Sequence, residues 1–281
     1  MDTLIALIWY LSSLLIMIVL GSIFFDEDKK ISKRNAIYGL INSRGYLFIL
    51  LIIFIFIKIE NILQDHFIMP DFTHLFYELE GNGIIVFLQE HLQNPFFIHS
   101  VCIFYLLFFF YVMIFTIIFF VLRGESQMVK TCVYAILINY IVLIPFYLFF
   151  NVKVTCDYPD ATPVKPLLYS NSQYMALVLL ADRLTDNFPS GHVSVLVSIS
   201  LILLLKTNLK RYTIFTILVT ALTPFAIIYL GIHWISDIFA GILLGIIAYF
   251  GANSKRITKW FDGFTKFIEE KLIKINYSTK R

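Results

Sequence analysis

Charge is scarce in this sequence. Only 15% of its 281 residues are Asp, Glu, Lys or Arg, against 59% hydrophobic and 17% aromatic, and the mean hydropathy is +0.82. A soluble domain carries roughly 25% charged and about 45–50% apolar residues. With so few charges, a water-exposed globule of this size would display Phe and Ile over much of its surface. The deficit excludes a cytosolic enzyme, a nucleic-acid-binding module and a disordered chain. A net charge of +3 provides no polyanion-binding surface. Cysteine is nearly absent as well. Cys102, Cys132 and Cys156 make neither a CxxC pair nor a zinc spacing. Separate buried thiols are expected, although a Cys102–Cys156 disulfide is conceivable. The N-terminal stretch has Asp2 and no basic residue before its apolar run. It resembles a first membrane span more than a cleaved signal peptide.

Long apolar runs fill the chain instead. About 20 apolar residues cross a bilayer as helix. Seven segments reach or approach that length: 3–25, 46–62, 101–122, 131–150, 193–205, 212–230 and 234–250. The fifth is long enough only if its helix starts near Ser190 and runs to Lys206. The predicted fold is an all-α polytopic transmembrane bundle, one integral membrane domain over 1–281. The connections after spans one, three and five, together with the C-terminal tail, hold 18 of the 22 basic residues, whereas 63–100 has none. The positive-inside rule then puts the N-terminus outside and the C-terminus in the cytoplasm. All six histidines fall in outer loops or at outer span ends: His66, His74, His91, His99, His192 and His233. Residues 63–100 are expected to form short interfacial helices with scattered histidines rather than a metal cluster. The tail over 256–276 spaces apolar residues as an amphipathic helix on the inner membrane surface, or as a loosely folded basic tail.

Two segments carry chemistry. Asp186-Asn187-Phe188-Pro189-Ser190-Gly191-His192 leads into span five. Pro and Ser there are helix-start signals. A helix N-terminus offers unpaired N–H groups and the positive end of its dipole, which suits a phosphate. Gly191 would let the phosphate approach the backbone, Ser190 could add a hydroxyl, and His192 would project from the first turn. The same residues also read as ordinary helix-start punctuation. The second segment is Tyr229-Leu230-Gly231-Ile232-His233-Trp234-Ile235-Ser236-Asp237. His233 and Asp237 are four apart, which predicts a shared helix face. An acid inside a span is costly and points to function. A carboxylate holding one imidazole nitrogen turns the other into a nucleophile or base. The alternative is a pair that merely staples the helix end. Together, two imidazoles, a helix N-terminus and nearby cations suit phosphoryl transfer. No carboxylate cage for magnesium is apparent.

Pro189-Ser190-Gly191-His192, followed some forty residues later by Tyr229-Leu230-Gly231-Ile232-His233 and Asp237, resembles the type 2 phosphatidic acid phosphatase (PAP2) superfamily of membrane lipid phosphatases and phosphotransferases. The resemblance spans 131–250. Spans two to seven, over 46–250, match the family's six-helix core in number and order, leaving 1–25 as an extra N-terminal span and 254–281 as a basic tail. It implies His233 as nucleophile through a phosphohistidine, Asp237 as its orienting partner and His192 as acid to the leaving oxygen. It also implies Ser190 and Gly191 as phosphate binders, with no metal or other cofactor. Two departures stand out. The Arg that usually precedes Tyr-Leu-Gly is replaced by Ala226-Ile227, and the first motif is reduced to Lys153 and Lys165-Pro166, with Arg183 as another possible cation. Lysine is a point charge without the bidentate fork of Arg. This loosened pattern is similar to the inositol-phosphoceramide-synthase-like branch. The expected activity is a metal-independent lipid-phosphate phosphatase at the outer face of the plasma membrane. Its partners would be a phosphorylated lipid and membrane lipids, with no nucleic acid. Alternatives are a lipid phosphotransferase using the same residues, a non-catalytic transporter or scaffold and, less favoured, a membrane serine protease built on Ser190. Sequence leaves the oligomeric state open.

Overall fold

A computed structural model describes residues 2–67, 70–178 and 184–278. Helix dominates, and among the described residues there is no strand, only the isolated bridges Asp71–Asn151 and Val152–Asp186. The long helices are α1 (Asp2–Phe24), α2 (Lys33–His66), α5 (Pro95–Leu122), α6 (Ser126–Phe149), α9 (Lys210–Tyr229) and α10 (Ile235–Asn253). All six are long and apolar enough to cross a membrane, and the shorter apolar α8 (Gly191–Lys206) runs among them. The shorter helices are α3 (Thr73–Glu80), α4 (Gly83–His91) and α7 (Ser172–Val178), and α11 (Lys255–Ser278) follows the last span. Two short helices, α3 and α4, lie within 63–100, between the end of α2 and the start of α5. Helix α2 starts thirteen residues before the expected span, at Lys33, because Ser32 caps it by accepting the N–H of Asn35 at 3.1 Å. Asn94 caps α5 in the same way, with Pro95 in the first turn.

In a bilayer the lipid is as apolar as leucine, so helix association relies on close packing and interhelical polar bonds. Both are present. Across α10 and α8 the contact is backbone-close. A Cβ on Gly245 would sit 2.5 Å from the Ser194 carbonyl oxygen, and one on Gly241 would sit 2.8 Å from that of Ser190. Asn139 of α6 donates to Ser198 of α8 at 3.2 Å, and Ser200 of α8 meets Thr220 of α9 at 2.7 Å. The main core is aromatic, built around Phe115, Phe119, Phe120, Tyr134 and Tyr212. A second, smaller core joins α5, α8 and the α9–α10 turn, and a third, with Phe76, Val152, Ala161 and Trp234, roofs one end. All three cysteines are free thiols.

The helices alternate in direction, which gives the bundle two chemically different ends. At one end Arg123, almost fully buried, is gripped by Asp26, Asp28 and Glu125, and the Arg211 N–H donates to Glu27 at 2.6 Å. The basic connections and α11 belong to this end. Helix α11 docks through Asp262 and Thr265 on Lys130 and Tyr134, while Trp260, Phe264 and Phe267 face outward. The six histidines gather at the opposite end, with α3, α4 and the 150–190 connection.

Candidate active site

The N-termini of α8 and α10 meet at the histidine end. Ser190 caps α8, its hydroxyl accepting the Val193 N–H at 3.4 Å. Its own N–H donates to the Asp237 carbonyl at 3.1 Å, which stitches the two helix starts together. His192 lies in the first turn of α8, as the sequence predicts. His233 corrects the expectation of a shared helix face. It precedes α10, whose cap is Trp234, and sits in the turn after α9. Gly231 makes that turn at φ 72°, where its missing Cβ would strike Val164. The pair still forms, because Asp237 reaches back from the first turn of its helix. One carboxylate oxygen, Oδ2, lies 3.1 Å from His233 Nδ1 and accepts the Trp234 N–H at 2.8 Å. The other, Oδ1, is buried without a partner among the described residues.

The remaining imidazole nitrogen, His233 Nε2, faces Ser190 Oγ at 3.3 Å. The rings of His233 and His192 are 6.3 Å apart between centroids and steeply inclined at 70°. His192 packs in tilted contact against Phe109 and Tyr105 of α5, with ring centroids 4.2 and 4.9 Å away. His233, Asp237 and Ser190 are buried, at 2%, 0% and 0% exposure. Gly191 lies against Tyr147, whose hydroxyl donates to the Pro189 carbonyl at 3.1 Å. The structure thus brings His192, His233, Asp237, Ser190 and Gly191 into one place. An imidazole held at one nitrogen by a carboxylate, its other nitrogen turned to a serine hydroxyl that can yield to a substrate, can attack an electrophile. A second imidazole one ring-width away can carry a proton.

The predicted cations are more scattered. The Lys153 ammonium pairs with Asp71 at 3.3 Å, and its carbonyl accepts the Trp234 indole N–H at 3.0 Å. Burial pushes the Asp71 carboxyl up, but hydrogen bonds from Thr73 and the Lys153 ammonium outweigh it and hold the group below its ordinary value. Lys165 is exposed, with its backbone fixed by Gln89. Arg183 lies outside the described residues. Ala226 and Ile227 are buried in the last turn of α9, where no cation could replace the usual Arg without opening the core.

Several residues escape the sequence reading. Glu80, at the end of α3, accepts the Ile235 N–H at 2.6 Å, the Ser236 N–H at 3.3 Å and the Ser236 hydroxyl at 2.8 Å. It therefore caps the helix that carries Asp237. Gln89 of α4 donates to the Tyr229 and Lys165 carbonyls at 2.9 and 3.0 Å and accepts the Lys165 N–H at 2.7 Å. Asn187 donates to the Ile232 carbonyl at 2.9 Å. Glu60 of α2 and Asp186 share Gln64 beside a cavity that His192 also lines. Glu60 lies within the expected second span, and an acid there is a signal in its own right. Among the described residues no three His, Cys, Asp or Glu side chains converge as metal ligands.

Residues 132–259 match the family model described as the PAP2 superfamily. An undecaprenyl-diphosphatase from Sulfolobus acidocaldarius is 36% identical over 83 residues, an alignment spanning 29% of this chain and 38% of the relative. No solved structure matches.

Proposed function

We propose that this integral membrane protein, whose residues 132–259 match the PAP2 superfamily model, is a lipid-phosphate phosphatase working through a phosphohistidine. The observation that carries the reading is the His233–Asp237 pair opening onto Ser190 and His192 at the N-terminus of α8. His233 Nε2 attacks phosphorus, forming the P–N bond as the bond to the lipid oxygen breaks. His192 donates a proton to that oxygen, so the lipid alcohol leaves neutral. Water then attacks the phosphohistidine with His192 as base, the P–N bond breaks, and inorganic phosphate departs. Asp237 orients the imidazole and balances its charge. In the bound state a phosphate oxygen takes the place of His233 Nε2 as partner of the Ser190 hydroxyl, and the first N–H groups of α8 face the anion. Gly191 permits close approach. Lys153, paired with Asp71, and Lys165 are the described cations that stand in for the family's absent Arg, without its bidentate fork, and Arg183 is a third by sequence alone.

The same reading treats the chain as one membrane domain, with a six-helix core over 46–250, α1 added in front and 254–281 as a cytoplasmic tail. The charge asymmetry of the two ends supports an N-terminus outside and a site on the extracytoplasmic face, and the plasma membrane is the proposed location. An alcohol in place of water would make the same residues a phosphotransferase. No step is routed through a metal.

The deciding experiment is release of inorganic phosphate from lipid phosphates by the purified protein, with and without an added alcohol, for wild type, His233→Ala and His192→Ala. The expected result is turnover abolished in His233→Ala and strongly reduced in His192→Ala, insensitivity to EDTA, and inhibition by vanadate as a mimic of five-coordinate phosphorus. Turnover that survives in His233→Ala would refute the mechanism. Transfer to alcohol in preference to water would move the assignment to a phosphotransferase.

A further inference from the structure

Glu60 sits where a carboxylate is disfavoured. It lies within α2, in a stretch long and apolar enough to cross a membrane, and only 2% of it is exposed. An acid at that depth is costly and points to function. Joining elements does not require it, because a neutral amide one turn along already does so. Gln64 donates to Asp186 Oδ1 at 2.7 Å and to the Tyr147 carbonyl at 3.2 Å, and it accepts the Thr185 hydroxyl at 3.0 Å. Those bonds join α2 to the end of α6 and to the connection that leads into Ser190, Gly191 and His192. Gln64 also donates to Glu60. What the carboxylate adds is a polar wall. Glu60, Asp186, Tyr140 and Tyr147 line the cavity of about 80 Å³ that Gly191 and His192 also line. A buried water needs about 10–15 Å³ and two to four polar partners. This cavity has room for more than one and offers them such partners. The other cavity that His192 borders, against Leu7 and Leu14 of α1, is walled mainly by hydrocarbon and aromatic rings and suits water poorly.

We propose that the cavity between Glu60 and His192 holds the water that discharges the phosphohistidine, and that Glu60, backed by Asp186, is a positioning residue that orders this water for attack. This deepens the phosphatase reading and rests on it. The two half-reactions share one oxygen position. In an in-line displacement the water enters along the path by which the lipid oxygen left, so it arrives beside the same imidazole. A cavity lined by His192 meets that condition. A carboxylate has about four lone-pair sites, so a bond from Gln64 is compatible with a further one from a water hydrogen. Held in this way, the water turns a lone pair towards phosphorus. As its O–P bond forms, the P–N bond to His233 breaks and one water proton passes to His192. His192 thereby regains the proton it gave to the lipid oxygen, and Glu60 and Asp186 end the cycle as they began it. Water between them also keeps the two carboxylates away from the like charge of the phosphate.

The test follows the phosphohistidine in single turnovers of the purified protein, with radiolabelled dioleoyl phosphatidate and farnesyl phosphate as donors. Release of the lipid alcohol reports the first half-reaction, and loss of protein-bound label reports the second. In Glu60→Leu the label is expected to form at close to the wild-type rate and to decay about 10-fold or more slowly. Glu60→Gln keeps an acceptor oxygen in the same place and is expected to restore most of the decay rate. Ile144→Phe enlarges a half-buried side chain of the cavity wall without touching a carboxylate, and slow decay is expected there too. Formation and decay slowed equally in a folded Glu60→Leu, or decay at the wild-type rate, would overturn the proposal and leave the phosphatase standing. Should Glu60→Leu fail to fold, wild-type decay in Ile144→Phe would overturn it instead. If neither donor labels the wild-type protein, or turnover persists in His233→Ala, the phosphatase reading itself is removed, and the proposal with it.

Discussion

A single carboxylate oxygen sets the site. Asp237 Oδ2 serves both His233 Nδ1 and the Trp234 N–H, so the ring and the start of α10 are fixed by one atom. Asp237→Asn keeps an oxygen for the Trp234 N–H but loses the charge and the tautomer control. The expected outcome is an unchanged melting temperature with turnover down by about 10³-fold or more. Phosphohistidine formation in a single turnover is the measurement, and wild-type labelling in the variant would remove Asp237 from its role. At this scale the sequence was highly legible. Pro-Ser-Gly-His and Gly-Ile-His…Asp are local patterns, and local patterns survive without a structure. One detail escaped. Spacing alone suggested a shared helical face, whereas His233 lies in the turn before α10 and the contact depends on a helix start.

Elements hold those residues in place through contacts that no local pattern announces. Glu80 and the residues it caps are separated by more than 150 positions, so nothing near either one in sequence pairs them. Glu80→Ala leaves the Ile235 and Ser236 N–H groups without their acceptor, which costs about 1–2 kcal/mol at the start of α10. A lower melting temperature and a fall in kcat larger than any change in KM are expected, because α10 carries Asp237. Steady-state kinetics beside thermal unfolding in detergent would check this, and unaltered kcat would show that the cap is only structural. The α8–α10 seam makes a second case. Gly245→Val drives a side chain into the Ser194 carbonyl, so a loss of about 1–3 kcal/mol is expected in the same melting assay. The early start of α2 was hidden for a different reason: residues 33–45 are too polar to read as a span, yet Ser32 and the chain beyond them make them helical.

The bundle as a whole is polarised, with reactive groups at one end and an ionic lock at the other. Arg123→Ala would strand Asp26, Asp28 and Glu125 together, an expected loss of about 3–5 kcal/mol for a buried cation with its partners left behind. Because the lock is remote from His192 and His233, turnover per folded molecule should be unchanged, as an active-fraction titration would show. The lock also has a pH signature. The hydrogen bond from Arg123 holds the Asp28 carboxyl at about 2, below its ordinary 3.8, against the opposing effect of burial. A lowered folded value means that the stabilisation is complete above 3.8 and lost as pH falls towards 2. Asp28→Asn should therefore flatten the acid limb of the melting curve over that interval. The seven-span count and the division between basic and histidine-bearing ends were legible from hydropathy and Lys/Arg placement. The apolar groove lined by Leu7 and Leu14 of α1 and Phe110 of α5 was not, since it exists only where the two helices come together.

Helix α8 has 16 residues. At 1.5 Å per residue it rises about 24 Å, some 6 Å short of a typical hydrocarbon thickness of about 30 Å. If its C-terminal end sits level with the cytoplasmic boundary, its first turn stops beneath the opposite one. On the proposed phosphatase reading, a lipid would surrender its phosphate without being lifted from its leaflet, and water would be the reactant that has to travel.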